Sequence, residues 1–326
     1  MKLYHTKPAY LSQELIGRID EKWYKLKTHR PLSPTVVNKL RERFMLEMTY
    51  NSNAIEGNNL TYKETYLVVS EGITIKGKSL KNHLEVKSHQ DALEFIYDLV
   101  DFDSHFTLSQ NLIRQIQSLV ISPIDKEIAG KYRSGSVAIA GSNVKPPIAT
   151  EIQYLMSNVV SWFGKNQKKL HPIELASLLH HKLVSIHAFE DGNGRTARLI
   201  MNIVLLQAGY PLVVILKNDR KKYYDTLSKA DKGNLLPFIE FIAQAVERSL
   251  SIYLETILDS KSMNDRYLLL SEISKKTRFS AKYLNLLARK GKLEAHKEGR
   301  NWLTTINAIK KYLDTRERIT KKITAN

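Results

Sequence analysis

The chain has 326 residues, a formal net charge of +17 and no cysteine. Without cysteine it forms neither disulfides nor thiolate metal sites, while 43% hydrophobic residues suffice for a folded core. No run approaches 18 apolar residues, and the first residues do not begin a secretory signal. We therefore expect a cytoplasmic protein without a membrane partner, built from two domains or from a large domain with an appendage.

Most of the chain has the 3.6-residue period of amphipathic helices, so we predict a mainly α-helical fold. Ser33 followed by Pro34 is a favourable helix start, and Thr61 with Glu64 forms a capping-box pattern. The predicted helices cover residues 33–53, 61–71, 78–100, 108–120, 148–163, 172–186, 195–209 and 235–257.

One segment is different, because Val137 and Ile139 alternate with small residues before a Gly-Ser-Asn turn. Alternation of this kind around a turn signal predicts a short β-hairpin over residues 134–147. No other part of the sequence before residue 260 gives a clear strand signal.

A glycine-rich loop precedes the helix predicted from residue 195, and residues 187–198 have the sequence HAFEDGNGRTAR. Glycine lets backbone N–H groups approach an anion closely, and a helix N-terminus binds phosphate. Arg195 and Arg198 lie on one helix face, where both can reach the same phosphates. Asp191 is an oxygen ligand of the type that Mg²⁺ prefers, and His187 can accept a proton near neutral pH. The loop predicts a nucleotide site with a general base.

The same residues resemble the signature loop of the Fic family, H-x-F-x-[DE]-G-N-G-R-x-x-R. Every fixed position is met, and Ala188 is the one departure, since the family usually has proline there. The resemblance covers roughly residues 33–250. It implies a Fic-type helical bundle that transfers AMP from ATP to a Tyr, Thr or Ser hydroxyl of a target protein or of itself. The motifs of P-loop enzymes and protein kinases are absent from the sequence.

The resemblance also implies roles for the loop residues. His187 would deprotonate the target hydroxyl, and Asp191 would hold Mg²⁺ between the α- and β-phosphates. Asn193 and the glycine N–H groups would stabilise the α-phosphate, whereas Arg195 would bind the leaving pyrophosphate and Arg198 the γ-phosphate. The catalytic residues would be His187, Asn193 and Arg195. The implied nucleotide site comprises Glu56, Val137, Ala138, Ile139, Ala140, Asp191, Gly192, Asn193, Gly194, Arg195, Thr196, Ala197, Arg198, Tyr223, Tyr224 and Asp231.

A second motif lies at the end of the helix predicted from residue 33. Ser52, Glu56 and Gly57 fit the family's inhibitory pattern, [ST]-x-x-x-E-[GN]. In the family this glutamate pairs with the arginine that corresponds to Arg198, and a carboxylate is a fair substitute for a phosphate beside a guanidinium. The motif precedes the core, which implies class II, in which the inhibitory helix is N-terminal. A helix end with a surface glutamate is the alternative.

The predicted hairpin at residues 134–147 resembles the family's flap, an edge strand on which a target's main chain would pair. A surface hairpin without a partner is the alternative. Tyr223 and Tyr224 match a segment that lines the adenine and ribose pocket, although one of two adjacent helical aromatics ordinarily packs in a core. Asp231 stands where the family commonly has asparagine, which leaves its role less defined.

A metal site is one hypothesis for the four histidines of this region, because His180 and His187 are seven residues apart and could share a helix face. No H-E-x-x-H pattern accompanies them, and such sites usually include acidic or cysteine partners. The four histidines are His171, His180, His181 and His187. For the first three, helical packing is favoured over a zinc site.

Positive charge is concentrated at the C-terminus. Residues 261–326 contain 17 Lys and Arg and 6 Asp and Glu, a net charge of +11, against +6 for the rest of the chain. Helices at 268–276 and 280–290, a hairpin at 291–305 and a helix at 306–316 are predicted there. This order resembles a winged helix-turn-helix. Candidate DNA contacts within residues 267–312 are Ser280, Lys282, Tyr283, Asn285 and Arg289 on the recognition helix and Lys297 and Arg300 on the wing.

We divide the chain into an N-terminal helical region with the inhibitory helix (1–110), a Fic core (111–258) and a winged helix-turn-helix domain (259–326). The leading hypothesis is a protein adenylyltransferase that uses ATP and Mg²⁺, is inhibited by Glu56 and, by resemblance, forms a homodimer. Removal of AMP, transfer of UMP or phosphocholine, and a DNA-binding regulator with a nucleotide-sensing core remain open. A basic winged domain that binds protein rather than DNA also remains open.

Overall fold

The computed structural model describes residues 9–30, 32, 34–102, 107–138, 145–262, 268–293, 295–298, 301–306, 308–310 and 312–313. The chain divides into two compact units, residues 1–254 and residues 255–326. Helices dominate the described residues, which confirms the predicted mainly α-helical class. Within these ranges, no helix has the length and apolar character needed to cross a bilayer.

The first unit is made of α-helices and two short 3₁₀ segments, Ala149–Glu151 and Lys217–Asp219. Its helices are α1 (Gln13–Thr28), α2 (Pro34–Ile55), α3 (Tyr62–Glu71), α4 (Leu80–Phe102), α5 (Gln110–Ile121), α6 (Ile152–Asn166), α7 (Pro172–Ile186), α8 (Asn193–Gln207), α9 (Arg220–Asp231) and α10 (Leu236–Ser262), the last of which runs into the second unit.

Each helix predicted between residues 33 and 257 is present, with ends that differ by up to five residues. The predicted capping box is confirmed, because Thr61 and Glu64 exchange side-chain and backbone bonds at the start of α3. Two helices were missing from the prediction. The buried stripe of α1, Leu15, Ile16, Ile19 and Leu26, lies among many charged residues, and α9 is also rich in charge around its buried Tyr223 and Leu227, so neither helix was recognised in the sequence.

The central pair of the first unit is α7 and α8. Both helices are buried along most of their length, which is typical of helices enclosed by others. Around them, α6 packs against α7, while α2, α4 and α5 pack against α8. The loop between α7 and α8, residues 187–192, is therefore fixed at both ends by buried helices.

The last turn of α2 is held close to α8 and α9 by polar contacts. The Asn51 side-chain oxygen accepts a bond from the Lys217 backbone N–H at 2.8 Å. Arg220 Nε donates to the Ile55 carbonyl oxygen, also at 2.8 Å, and so pairs with one of the carbonyls that a helix C-terminus leaves without a partner. These bonds fix the position of the residues that follow α2.

The second unit contains β1 (Leu268–Leu269), α11 (Leu270–Lys276), α12 (Ala281–Arg289), β2 (Ala295–Glu298) and β3 (Asn301–Thr304). The strands form an antiparallel sheet in the order β1-β3-β2. Its core is apolar and comprises Leu270, Ile273, Leu284, Leu287, Ala288, Leu293, Ala308 and Ile309. The described residues of the helix predicted at 306–316, namely 306, 308–310 and 312–313, are helical.

Among the candidate DNA contacts, Lys282, Asn285 and Arg289 are exposed on α12. Ser280 caps this helix by accepting a bond from the Tyr283 N–H. The Tyr283 hydroxyl lies 3.0 Å from that of Tyr312, so this side chain packs within the unit. Arg300 and the side chain of Lys297 lie outside the described residues.

The predicted flap is described only in part. Residues 134–138 and 145–147 form no strand, and residues 139–144, including Ile139 and Ala140, lie outside the described residues. The hairpin therefore stays a prediction.

The chain's first described residues are attached to α7 by a buried carboxylate. Glu174 accepts bonds from the backbone N–H groups of Ala9, Tyr10 and Leu11 at 2.7 to 3.0 Å. We predict that Glu174→Ala lowers the free energy of unfolding by about 3 kcal/mol, because it removes charged acceptors from three donors. Urea unfolding measures this loss, with Glu151→Ala on an exposed position as the control. An equal, small loss in both variants would contradict the assignment.

Candidate active site

His187 directly follows α7 and has the geometry of a proton acceptor. Its φ of 50° is the one positive value at a non-glycine residue within the described ranges. Its Nδ1 lies 3.4 Å from the carbonyl oxygen of Val184, which can only accept, so Nδ1 carries the proton. The Nε2 lone pair is then available to take a proton from another group.

Arg133 fixes the loop that carries His187, and the sequence reasoning missed it. Arg133 is buried, and its Nε donates to the His187 carbonyl oxygen at 2.7 Å. Its backbone N–H donates to the Ala188 carbonyl oxygen. Its other nitrogens donate to the Gly135 and Pro147 carbonyl oxygens. One guanidinium thus joins the loop to both described ends of the predicted flap. A lone arginine beside a predicted hairpin gave no signal of this role.

Asn193 closes the loop onto itself. Its side-chain amide accepts a bond from the Phe189 N–H at 2.9 Å and donates to the Phe189 carbonyl oxygen at 2.7 Å. Gly192 has a φ of 83°, and a Cβ there would lie 2.9 Å from Ile121, so only glycine fits. The loop is therefore preorganised, and one amide N–H of Asn193 remains for a ligand.

Asp191 and Arg195 form the outer part of the charged site. Arg195 Nη2 donates to Asp191 Oδ1 at 3.0 Å, and that oxygen also accepts from the Gly192 N–H. Arg195 is 1% exposed, whereas the Asp191 side chain is 43% exposed. Asp191 is therefore partly open to solvent, while its partner Arg195 is buried.

Arg198 forms the inner part and is held by the segment that ends α2. It donates from Nε to the Ser52 hydroxyl and from Nη2 to the Ser52 carbonyl oxygen, both at 2.9 Å. Nη2 also lies 2.8 Å from Glu56 Oε1 in an ion pair. Since Arg198 is 1% exposed, a negative partner is needed to offset the cost of burying its charge. The pairing of Glu56 with Arg198 is the one that the family resemblance implied, whereas the contacts of Ser52 with Arg198 were not predicted.

The Glu56 carboxylate also occupies the N-terminus of α8. A Cβ placed on Gly194 would come within 2.3 Å of Glu56 Oε1 and 3.0 Å of Arg198 Nη1. A carboxylate this close to the first turn of a helix lies where the N–H groups and helix dipole favour an anion. Glu56 thus places a negative charge beside Arg198 at the start of α8.

Comparison with known proteins agrees with this geometry. Residues 107–205 match the model of the Fic/DOC family. The fold aligns with a Fic domain-containing signalling protein from Bacteroides thetaiotaomicron with a TM-score of 0.70 and 32% identity, covering 74% of this chain and 98% of that one. The chain belongs to the Fic/DOC family. The predicted Fic-type helical bundle is thereby confirmed.

Two further Fic relatives extend the comparison. A Nematostella vectensis protein named protein adenylyltransferase Fic is 38% identical over 249 residues, which is 76% of this chain. Fic-1 from C. elegans aligns with a TM-score of 0.69 and 28% identity, covering 76% of this chain and 73% of that one. The chain spans 57% of the length of the Nematostella relative.

A cavity of about 200 Å³ lies in front of this Fic loop. Its walls combine the residues at the start of α8 with an aromatic side formed by Tyr223 and Tyr224. It is lined by Glu56, Ala138, Val184, Ser185, His187, Glu190, Asp191, Gly192, Asn193, Gly194, Tyr223, Tyr224, Leu227, Ser228 and Asp231.

Some residues implied by the Fic resemblance do not face the cavity. Thr196 and Ala197 are buried in α8, and Arg195 and Arg198 lie behind the cavity wall. Val137 is half-buried outside the lining, unlike its neighbour Ala138. The lining also includes Val184 and Ser185 of α7 and Leu227 and Ser228 of α9. No motif identified them, because short apolar and serine side chains on a helix do not by themselves indicate a binding site.

The other histidines have separate partners. His180 lies 3.0 Å from the Tyr223 hydroxyl, and His181 Nε2 lies 2.9 Å from Asp231 Oδ1. His171 caps α7, and burial lowers its pKa to about 4. No group of three or more metal-ligating side chains occurs among the residues that the structure describes.

We predict that His187 titrates below the usual histidine pKa of 6.5, because burial disfavours its charged form. The nearby Glu56 charge opposes this shift, so Glu56→Gln lowers the His187 pKa further. NMR titration of the ring nitrogens checks both statements, with Glu151→Gln as the control. A pKa at or above 6.5, or one that rises in Glu56→Gln, would contradict the site's electrostatics.

Proposed function

We propose that this Fic protein is an adenylyltransferase that moves AMP from ATP to a Tyr, Thr or Ser hydroxyl of a target protein or of itself. The observation that carries the proposal is the anion position at the start of α8, bordered by Arg198 and facing His187 across one cavity. Relatives named protein adenylyltransferase Fic support the choice of nucleotide and reaction class.

In the proposed reaction, His187 Nε2 takes the proton of the target hydroxyl while its oxygen attacks the α-phosphorus. The bond to the bridging oxygen breaks, and pyrophosphate leaves. The N–H groups at the start of α8 and the free amide N–H of Asn193 stabilise the developing charge, and Arg195 and Arg198 bind the other two phosphates. Tyr223 and Tyr224 line the side of the cavity available to the nucleoside.

Asp191 fits a magnesium ion. Its carboxylate is partly exposed beside the cavity, one of its oxygens is engaged by Arg195, and Mg²⁺ is usually held by one or two carboxylates plus substrate phosphates. When bound with ATP, the ion would neutralise phosphate charge.

We further propose that Glu56 inhibits the enzyme, as in class II Fic proteins. ATP can place its γ-phosphate against Arg198 only when Glu56 leaves the position beside Gly194. The same carboxylate, next to the cavity, could hold a water molecule for removal of AMP, so the reverse reaction belongs to this proposal as its alternative outcome. UMP or phosphocholine as the transferred group is a further alternative.

The target would dock on the segment 134–147, since Arg133 attaches both described ends of that segment to the loop of His187. A homodimer is supported by exposed apolar side chains around α3 and the start of α4. They include Tyr66, Ile73 and Leu80, which is 71% exposed.

We predict that Glu56→Gly increases AMP transfer at least tenfold over the wild type and that His187→Ala abolishes it. The first change frees Arg198 for phosphate, and the second removes the base. Transfer is measured with ATP labelled on the α-phosphate and a cell lysate as target source. Glu71→Gly is a matched control, because Glu71 also ends a helix before a positive-φ glycine. Equal labelling by wild type and Glu56→Gly would remove the inhibitory claim.

A second function, DNA binding by the C-terminal unit, is supported by the exposed Lys282, Asn285 and Arg289 of α12 and by the +11 charge of residues 261–326. The order of two helices, hairpin and helix fits a winged helix-turn-helix. Together with the Fic core, it would make a regulator that responds to nucleotide.

We predict that duplex DNA binds with an affinity that falls steeply with salt, because phosphate contacts release counterions. Lys282→Ala with Arg289→Ala should reduce the log–log salt slope by about 2. Fluorescence anisotropy measures this, with Lys63→Ala and Lys165→Ala, both exposed in the first unit, as the control. Absent or salt-independent binding would favour protein contacts instead.

A further inference from the structure

The segment that ends α2 is connected to both arginines of the proposed phosphate site, to Arg198 directly and to Arg195 through one intermediate. Ser52 and Glu56 bind Arg198 directly. Asn58, two residues after Glu56, reaches Arg195 through one intermediate, Glu85 of α4. This second connection was in no motif, because its members are 27 and 110 residues apart in the sequence.

Arg195 depends on Glu85 for its charge balance. Its guanidinium is buried, yet it makes one described hydrogen bond, from Nη2 to Asp191. Nε and Nη1 have no hydrogen-bond partner among the described residues, and Nη1 lies 3.6 Å from Glu85 Oε1. The side chain of Glu85 is 11% exposed, against 43% for Asp191. Asp191 therefore supplies the hydrogen bond, and the more buried Glu85, which solvent screens less, adds an ion pair at Nη1.

Asn58 in turn fixes Glu85. Its Nδ2 donates to Glu85 Oε2 at 2.8 Å, and its Oδ1 accepts from the Leu60 N–H at 3.0 Å. Its own N–H donates to the Asn53 carbonyl oxygen in α2, so the side chain is anchored to the inhibitory helix. Lys81, the other cation near Glu85, is 3.9 Å away and 59% exposed, so solvent screens its effect.

We infer that Glu85 is a positioning residue that orients Arg195 toward the phosphates beyond the α-phosphate, and that Asn58 couples this orientation to the inhibitory segment. The inference rests on the proposed function for the identity of the ligand. Nε and Nη1 are buried and have no hydrogen-bond partner among the described residues, so they are the donors left for phosphate oxygens once a ligand enters, provided that Glu85 keeps the guanidinium from turning away. A movement of residues 52–58 that releases Arg198 then also alters Arg195.

The test measures nucleotide binding without turnover, in the full chain carrying Glu56→Gly and His187→Ala. ATP and AMP are titrated calorimetrically in the presence of Mg²⁺. Glu85→Gln, which keeps the shape and removes the charge, should weaken ATP about tenfold and leave AMP unchanged, because AMP lacks the phosphates that Arg195 would contact. Glu94→Gln, an exposed glutamate of the same helix, is the matched control and should change neither.

Asn58→Asp provides an independent second variant. It keeps the acceptor for the Leu60 N–H and places a carboxylate against Glu85, so it should also weaken ATP but not AMP. Equal weakening of ATP and AMP, or no change in either, would overturn the inference. Thermal unfolding identifies a variant that fails to fold, in which case the other variant decides.

Two outcomes distinguish failure of the proposed function from failure of this inference. An ATP-specific loss in Glu85→Gln, in a protein whose Glu56→Gly form labels no target, would retain the positioning role and reject the transferase. Robust transfer by Glu56→Gly, with ATP binding that is insensitive to both variants, would reject the positioning role alone.

Discussion

The ion pair between Arg198 and Glu56 is the interaction on which the structure of the site depends. A guanidinium that is 1% exposed needs an anionic partner, and two kinds of partner fit the space beside Gly194: a carboxylate from the chain or a phosphate from a ligand. Under the proposed inhibition, both would use the same donors and so exclude each other. Release would then require no distant conformational change, since one charged group would replace another.

Buried helices and the hydrogen bonds of the loop fix the arginines and His187 of the site, whereas Glu56 is less constrained. Arg195 and Arg198 project from the buried helix α8, His187 follows the buried helix α7, and Arg133 and Asn193 hold the loop between them. Glu56, in contrast, lies beyond the last turn of α2 with a side chain that is 32% exposed. In the proposed inhibition, the group that phosphate would replace lies at the end of one helix, which Ser52, Ile55 and Asn58 attach to its neighbours.

The sequence predicted the parts of this site whose chemistry is local. The loop at 187–198 lies within one short stretch, so glycine, charge and spacing indicated a phosphate site there. The pattern at 52–57 and the pairing of Glu56 with Arg198 followed from the resemblance to the Fic family. Long-range contacts were not predictable in the same way. Folding brings Arg133 to His187 and Glu85 to Arg195, and Asn58 bonds Glu85. A single polar residue in a helical or hairpin segment does not indicate which distant residue it will contact. Likewise, α1 and α9 were not predicted because their apolar residues lie among many charged ones.

The most direct test of the exchange is the contribution of the γ-phosphate to binding. ATP and ADP would be titrated calorimetrically with Mg²⁺ into His187→Ala, with and without Glu56→Gly. If Glu56 competes with the γ-phosphate for Arg198, Glu56→Gly tightens ATP by about tenfold more than ADP, a coupling of about 1.4 kcal/mol. An equal gain for ATP and ADP would contradict the account, because the carboxylate would then not occupy the γ-phosphate position.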